Sequence, residues 1–157
     1  MRQYQISLNC KVEADSESQA KLKALESLKI KEALPMTLTP LDVYQLLRRF
    51  HNKKKEFFIA LFLDTQNQVL AKKVISVGTL NSSLIHPREL FEPAIKNLAS
   101  YIIVAHNHPS GQVRPSDEDM AVTKRLVDVG KILGIAVVDH LVFGQSGFYS
   151  FKENNNL

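Results

Sequence analysis

The chain has 157 residues, 45% of them hydrophobic, a length and composition that fit one globular domain with a core of its own. Its formal net charge of +4 and pI of about 9.2 permit contact with nucleic acid or an acidic partner without requiring it. Cys10 is the only cysteine, which excludes an internal disulfide and a zinc site built on several thiolates and makes a reducing cytoplasm the expected compartment.

Residues 1–38 are predicted to form an N-terminal extension. "YQISLNCKV" alternates as a strand does, and "SESQAKLKALESLKI" places Leu22, Leu25 and Leu28 on one side of a helix. The opening residues turn polar too soon for a secretory signal, and no apolar run approaches the roughly 20 residues that span a bilayer. No membrane association is therefore expected.

From Thr39 onward the predicted elements are better defined. Thr39 is a natural N-cap with Pro40 at the first helical position, which predicts a helix through "PLDVYQLLRRF". "EFFIALFLD" and "QVLAKKVISVG" are two strands that "TQN" joins as a hairpin. The connector before them, with His51 and Lys53 to Lys55, is interpreted as a solvated loop or, alternatively, as a patch for nucleic acid or an acidic partner.

The second half of the chain alternates helices and strands. "PRELFEPAIKNLA" is a helix from Pro87 that Pro93 is expected to kink or restart, and "YIIVA" is a buried strand. "SDEDMAVTKRLVDVGKIL" is a long amphipathic helix ended by Gly134, and "IAVVDHLVFG" and "GFYSF" are two further strands. Residues 153–157 are predicted to be a frayed tail. This alternation predicts an α/β fold with a mixed sheet.

The segment "IVAHNHPSGQVRPSDED" concentrates polar side chains directly after a hydrophobic strand. Residues two apart on a strand face the same side, so His106 and His108 are expected to point the same way. Asp119 falls in the first turn of the next helix, facing back toward the strand end. Two neutral imidazoles and a carboxylate suit Zn²⁺ and leave a fourth position for water, which is typical of a catalytic site.

Other interpretations of the same residues are open. Ser116-x-x-Asp119 also resembles a capping box that only stabilises a helix start. A His-x-His pair alone is more often part of an ordinary loop than of a metal site, and the added Asp119 favours the metal. The nuclease motif known as HNH spreads its residues over a longer ββα-metal unit, so the adjacent letters in this chain do not indicate that class of nuclease. Zinc deaminases need a Pro-Cys-x-x-Cys pair, which this chain lacks, so that class is excluded.

The spacing His106-x-His108-Pro109, six residues, Ser116, two residues, Asp119 resembles the JAMM motif of the JAB/MPN metalloproteases. The segments "VGTLNSSLIHPREL", "AHNHPSG", "RPSDED", "VVDHLVFG" and "FYSF" are similar, in this order, to the RadC-like branch of that family. The resemblance implies a JAB/MPN-type mixed β-sheet flanked by α-helices, a cytidine-deaminase-like three-layer arrangement, over residues 39–152. The helix-hairpin-helix region of longer RadC proteins is not evident in residues 1–38.

The resemblance also implies a role for individual residues. One zinc ion per chain would be held by His106, His108 and Asp119, with Glu56 at the start of "EFFIALFLD" as acid/base and Ser116 assisting the oxyanion. The implied reaction is cleavage of a peptide or isopeptide amide bond through a zinc-activated water.

Four more residues are candidates for the site. Asn107 lies between the two histidines, where eukaryotic isopeptidases commonly have a small hydroxyl residue and the RadC-like branch has Asn. Asp139 and His140 could orient the metal ligands, although a satisfied core histidine is the plainer interpretation of His140. Arg88 could face a substrate carboxylate or phosphate.

The alternatives to a hydrolase are a metal-binding accessory protein associated with DNA repair and a metal-dependent nuclease. The expected partners are a protein or peptide substrate, nucleic acid at the basic surface, and a second copy of the chain in a homodimer.

Overall fold

The computed structural model describes residues 38–78 and 85–157, so the strand and helix predicted for the N-terminal extension lie outside the described residues. The elements in chain order are α1 (Pro40–Leu46), a 3₁₀ turn (Arg48–Phe50), β1 (Glu56–Leu63), β2 (Val69–Gly78), α2 (Pro87–Lys96), β3 (Tyr101–Asn107), α3 (Asp117–Leu133), β4 (Ala136–Phe143) and β5 (Phe148–Ser150). None of the described helices is long and apolar enough to cross a membrane.

The five strands form one mixed sheet in the order β2-β1-β3-β4-β5. Only β3 and β4 run parallel, and the other neighbouring pairs are antiparallel. A parallel pair needs a crossover connection, which α3 supplies between β3 and β4. The predicted α/β fold with a mixed sheet is confirmed.

The predicted N-cap of α1 is present. The Thr39 side chain accepts a hydrogen bond from the Asp42 amide at 3.2 Å, and the Thr39 amide donates to Asp42 Oδ2 at 2.9 Å. The α-helix ends at Leu46 and the chain continues as a 3₁₀ turn, so the predicted helix through "PLDVYQLLRRF" is divided in two.

The hairpin of β1 and β2 is also as predicted. Asp64 organises its loop, because Asp64 Oδ1 accepts hydrogen bonds from the amides of Gln66 at 2.8 Å and Gln68 at 2.9 Å. Asn67 adopts a left-handed φ of 60°, which asparagine tolerates better than most residues.

Helix α2 and the C-terminal residues show details that the sequence does not predict. Helix α2 runs without interruption through Pro93, whose ring is buried; proline removes one backbone hydrogen bond from the helix, and burial against the core outweighs this loss. Residues 151–155, which include the first part of the predicted tail, form successive turns; Phe151 is fully buried, and its carbonyl accepts from the Asn156 amide at 2.8 Å.

Buried side chains form one cluster on each face of the sheet, so the domain has three layers. Phe58, Ala60 and Phe62 of β1 face α2 and α3, and the alternate residues of the same strand face α1 and the 3₁₀ turn. Residues of β3 alternate in the same way. Because His106 pairs with Phe58, it lies on the face covered by α3.

Candidate metal centre

The candidate site lies where β3 ends and the chain turns toward α3. His106 is near the end of the strand, and the His108 amide donates to the Phe143 carbonyl at 2.9 Å, which ties the turn to the end of β4. Gly111 adopts a left-handed φ of 80°. A Cβ on Gly144 would lie 2.8 Å from the Gly111 carbonyl oxygen, so only glycine permits this approach of the two loops.

The three side chains that were predicted from the sequence to be metal ligands converge at this position. His106 Nε2 lies 3.0 Å from His108 Nε2 and 3.2 Å from Asp119 Oδ1, and His108 Nε2 lies 3.5 Å from Asp119 Oδ2. The side chains of His106 and Asp119 are buried, while that of His108 is 14% exposed. These residues form a group that could hold a metal ion, with His108 on the solvent side.

Asp119 serves as a helix cap with one oxygen and leaves the other unsatisfied. Asp119 Oδ2 accepts from the Ser116 amide at 2.8 Å and from the Ser116 hydroxyl at 2.7 Å, and the Asp119 amide donates to Ser116 Oγ at 3.1 Å. Asp119 Oδ1 is buried and accepts no hydrogen bond, although His106 Nε2 is 3.2 Å away. The capping box and the ligand role, which the sequence presented as alternatives, are therefore compatible.

The hydrogen bonds of the site fit a cation at its centre. His108 Nδ1 lies 2.7 Å from the Gln112 carbonyl oxygen, which can only accept, so Nδ1 carries a proton and the neutral ring presents a lone pair at Nε2. The buried Oδ1 of Asp119 accepts no hydrogen bond, and the His108 Nε2 lone pair faces His106 Nε2 at 3.0 Å. A buried polar atom without a partner is costly, and a divalent ion would satisfy both atoms together.

The electrostatics of His106 and Asp119 agree with such a site, whereas those of His108 favour its protonated ring in the metal-free protein. Burial lowers the pKa of His106, so its ring is held neutral, as a metal ligand requires. Burial alone would raise the pKa of Asp119, but its contacts with His106, His108 and the Ser116 amide hold that pKa well below its usual range. The hydrogen-bonding contact with Asp119 raises the pKa of His108, despite its partial burial.

An open cleft of about 430 Å³ leads from solvent to these ligands. It is lined by Glu56, His108, Ser110, Gln112, Arg114, Pro115, Ser116 and Asp119. Glu56 is half-buried at the start of β1, two residues before Phe58, so it lies on the same face of the sheet as His106. The cleft thus brings the proposed acid/base and Ser116 beside the candidate ligands.

Asn107 does not reach the cleft. Its side chain is fully buried; Oδ1 accepts from the Phe57 amide at 2.8 Å, and Nδ2 donates to the carbonyls of Lys53 at 3.3 Å and Lys55 at 3.0 Å. These bonds hold the backbone on both sides of Glu56 against the end of β3. Asn107 therefore supports the segment that carries Glu56 and is not available to contact a substrate.

His140 lies behind His106, on the side away from the cleft. His140 Nε2 is 2.8 Å from His106 Nδ1, and His140 Nδ1 is 2.6 Å from Thr123 Oγ1. The Thr123 hydroxyl in turn donates to the Asp119 carbonyl at 2.6 Å. Burial lowers the pKa of His140 well below its ordinary value. The interpretation of His140 as a satisfied core histidine is therefore compatible with a contact to a metal ligand.

Two other candidates lie away from the ligands. Asp139 lines a separate cavity of about 200 Å³, and its carboxylate accepts from the His140 and Lys152 amides and from the Ser150 hydroxyl. Arg88 is exposed in the first turn of α2 and is not among the described residues that line the cleft. The described part of the cleft contains one arginine, Arg114, and no lysine.

Sequence reasoning missed two contributors to the site. Thr123 lies four residues after Asp119 in α3, a spacing that places both residues on one helical face, so periodicity could have identified it. Gln112 contributes its backbone carbonyl, for which the residue type gives no signal.

Comparison with known proteins gives a consistent result. Residues 37–157 match the family described as the RadC-like JAB domain. The chain is 49% identical over 124 residues to a UPF0758 protein of Rubrobacter xylanophilus, covering 78% of this chain and 54% of that protein. It is 47% identical over 116 residues to one of Methanosarcina acetivorans, covering 73% and 51%, and 55% identical over 98 residues to one of Desulforamulus reducens, covering 62% and 43%.

The chain spans about half the length of the curated relatives it matches, and their names state no activity. The family match nevertheless covers the whole segment that contains the sheet, the cleft and the three candidate metal ligands. The chain belongs to the family of RadC-like JAB domains.

Proposed function

We propose that this domain is a zinc-dependent hydrolase of the JAMM type that cleaves a peptide or isopeptide amide bond. The observation that carries the proposal is the convergence of His106, His108 and Asp119 at an open cleft that Glu56 also lines. Two imidazole nitrogens and a carboxylate are a ligand set of catalytic zinc sites, and the cleft gives access to the remaining coordination position.

His106 Nε2, His108 Nε2 and the Asp119 carboxylate would hold the zinc ion. When bound, zinc supplies a Lewis acid that polarises a carbonyl and activates water at neutral pH. Glu56 would accept a proton from the attacking water and transfer it to the departing amine. The cleft opens to solvent beside Glu56, which supports access for both water and an extended peptide.

Ser116 would stabilise negative charge on the carbonyl oxygen with its hydroxyl. This hydroxyl donates to Asp119 Oδ2 at 2.7 Å, so it has to turn from the cap toward the substrate. The Ser116 amide continues to donate to the same oxygen at 2.8 Å, which keeps Asp119 partly capped during that change.

The test compares Glu56→Gln with Glu118→Gln in zinc-loaded protein incubated with a peptide library and with isopeptide-linked lysine substrates. Glu118 is an exposed acid in the first turn of α3 and does not line the cleft, so it is a matched control. We expect Glu56→Gln to retain zinc and to lose cleavage, as read by mass spectrometry, while Glu118→Gln cleaves normally. Unchanged cleavage by Glu56→Gln would remove Glu56 from the mechanism.

The second candidate function is nucleic-acid association, either as a DNA-repair accessory factor or as a metal-dependent nuclease. Its support is the exposed run Lys53 to Lys55, whose backbone contacts Asn107 between the two histidines, together with Arg114 in the cleft. If several phosphates are bound, affinity for DNA falls steeply with salt. Weak binding with a flat salt dependence, and intact DNA after incubation with metal-loaded protein, would contradict this candidate.

The two remaining proposals have separate tests. A homodimer would be detected by light scattering of the purified chain. A cytoplasmic location is proposed from the single cysteine and is tested by cell fractionation.

A further inference from the structure

A chain of three buried hydrogen bonds connects two of the candidate metal ligands behind the cleft. It runs from His106 Nδ1 to His140 Nε2 at 2.8 Å, from His140 Nδ1 to Thr123 Oγ1 at 2.6 Å, and from Thr123 Oγ1 to the Asp119 carbonyl at 2.6 Å. His106 and His140 are fully buried and Thr123 is 2% exposed. The ligand on β3 is thus linked, through β4, to the helix that carries the ligand Asp119.

The proton positions along this chain of hydrogen bonds follow from the Asp119 carbonyl at its end. A carbonyl oxygen can only accept, so the single hydroxyl proton of Thr123 is donated to Asp119. Thr123 Oγ1 must then accept from His140 Nδ1, which places the proton of a neutral His140 on Nδ1. His140 Nε2 is left with a lone pair, and it can only accept from His106 Nδ1.

His140 is in surroundings that favour a neutral ring. It stacks on Phe151 with the ring centroids 4.7 Å apart and contacts Phe58 edge-on at 5.5 Å. The two ring nitrogens bind His106 and Thr123, and the Asp139 carboxylate contacts the His140 backbone amide and not the ring. An ionised imidazole without a counter-charge is costly in such an interior.

We propose that Thr123 and His140 are positioning residues that keep the proton of His106 on Nδ1 and direct the lone pair of its Nε2 toward the metal position before any metal arrives. The rotation of the His106 ring is fixed by the same contacts, since Nδ1 is bound behind the ring while Nε2 faces His108 and Asp119. This inference rests on the metal centre of the proposed function and does not depend on hydrolysis.

The test uses the pair Thr123→Val and Thr123→Ser, of which only serine keeps the hydroxyl. Ring-nitrogen NMR of the metal-free protein reports the tautomer of His106, and a competition titration reports its zinc affinity. We expect wild type and Thr123→Ser to carry the His106 proton on Nδ1. In Thr123→Val the His106 proton is distributed over both nitrogens and zinc affinity falls about 10- to 100-fold. An unchanged tautomer and affinity in Thr123→Val would overturn the proposal.

The wild-type protein alone provides a second test that no folding defect can obscure. The proposal requires both His106 and His140 to carry the proton on Nδ1 in the metal-free protein, and a proton on His140 Nε2 would overturn it. Absence of zinc binding would contradict the proposed function, and zinc binding without cleavage would contradict only its catalytic part. In either case the metal-free NMR spectrum still decides the tautomer.

Discussion

The two carboxylate oxygens of Asp119 have different surroundings, and a single substitution can separate their roles. In Asp119→Asn, the amide oxygen can still cap the Ser116 amide, while the amide nitrogen becomes a donor toward the imidazole lone pairs. We expect zinc affinity to fall by at least about 100-fold, since a charged ligand becomes a neutral donor. The free energy of unfolding of the metal-free protein should fall less than in Asp119→Ala, because the cap remains while the contacts that favour the charged carboxylate are lost.

Chemical denaturation of metal-free protein and zinc titration measure these two effects. Asp119→Ala is the comparison, because it also removes the cap and should cost about 1 kcal/mol of stability. Wild-type zinc affinity in Asp119→Asn would show that Asp119 is not a ligand.

Asn107 is predicted to hold the backbone on both sides of Glu56 in place. Replacing Asn107 with Asp keeps an acceptor for the Phe57 amide but leaves the carbonyls of Lys53 and Lys55 without a donor, opposite a buried charge. We expect the free energy of unfolding to fall by roughly 2–3 kcal/mol in urea denaturation. If the domain cleaves amides, cleavage should decline more than zinc affinity. The exposed Asn52→Asp is the control, and an equal loss of stability there would contradict the explanation.

The candidate ligands could be predicted from the sequence because their positions depend on local geometry. Residues two apart at a strand end face the same side, and an acid in the first turn of the following helix lies close to that end, so His106, His108 and Asp119 required no long-range information. Glu56 lies fifty residues before His106, and only the family resemblance nominated it. Its place in the cleft depends on the pairing of β1 with β3, which residue spacing does not encode.

At the scale of elements, local sequence signals predicted the helix boundaries that neighbouring residues determine. They did not predict the features that depend on tertiary contacts. The caps at Thr39 and Ser116 and the stop at Gly134 involve residues within one helical turn. The continuation of α2 through Pro93 and the turns after Phe151 depend on burial against distant parts of the chain, which no local pattern reports. The location of Asp139 shows the same limit, because its carboxylate accepts hydrogen bonds from Ser150 in β5 and from Lys152 in the turn after that strand.

Asp139 is predicted to hold the C-terminal part of the sheet together. Its carboxylate accepts from the amides of His140 and Lys152 and from the Ser150 hydroxyl, and it is only 4% exposed. Asp139→Ala leaves these three donors without an acceptor, and we expect a loss of about 3 kcal/mol in the free energy of unfolding. Asp139→Asn retains an acceptor and should lose less. Equal stability of the two variants in urea would contradict this role.

The pH dependence of stability gives a separate test of Asp139. Burial raises its pKa above the ordinary 3.8, so the folded state binds its proton more tightly than the unfolded state does. Its contribution to the free energy of unfolding is therefore largest below pH 3.8 and declines as pH rises from there through the raised pKa. The stability of wild type relative to Asp139→Asn should decline across that range, and a difference that grows with pH would contradict the assignment.

At the scale of the whole domain, a metal at this site would connect the central sheet to α3. His106 and His108 belong to the end of β3 and its turn, and Asp119 begins the helix that covers one face of the sheet. An ion that binds only the folded state stabilises it by mass action, by about 2.7 kcal/mol when free zinc is 100 times its Kd. For a domain of this size we expect Tm to rise by roughly 8 °C. Calorimetry with and without zinc measures the shift, and excess chelator should reverse it.

The source of that thermal shift can be tested with the ligands themselves. Zinc also binds histidines outside such a site weakly, so Asp119→Asn and His51→Ala are compared with wild type at the same free zinc concentration. His51 stacks on Tyr44 outside the cleft, and its replacement should leave the zinc-dependent shift intact even if it lowers Tm by itself. Asp119→Asn should abolish most of the shift. A shift of the same size in Asp119→Asn would place the stabilising metal elsewhere on the chain, and the connection between β3 and α3 would then depend on packing and on the hydrogen bonds through His140 alone.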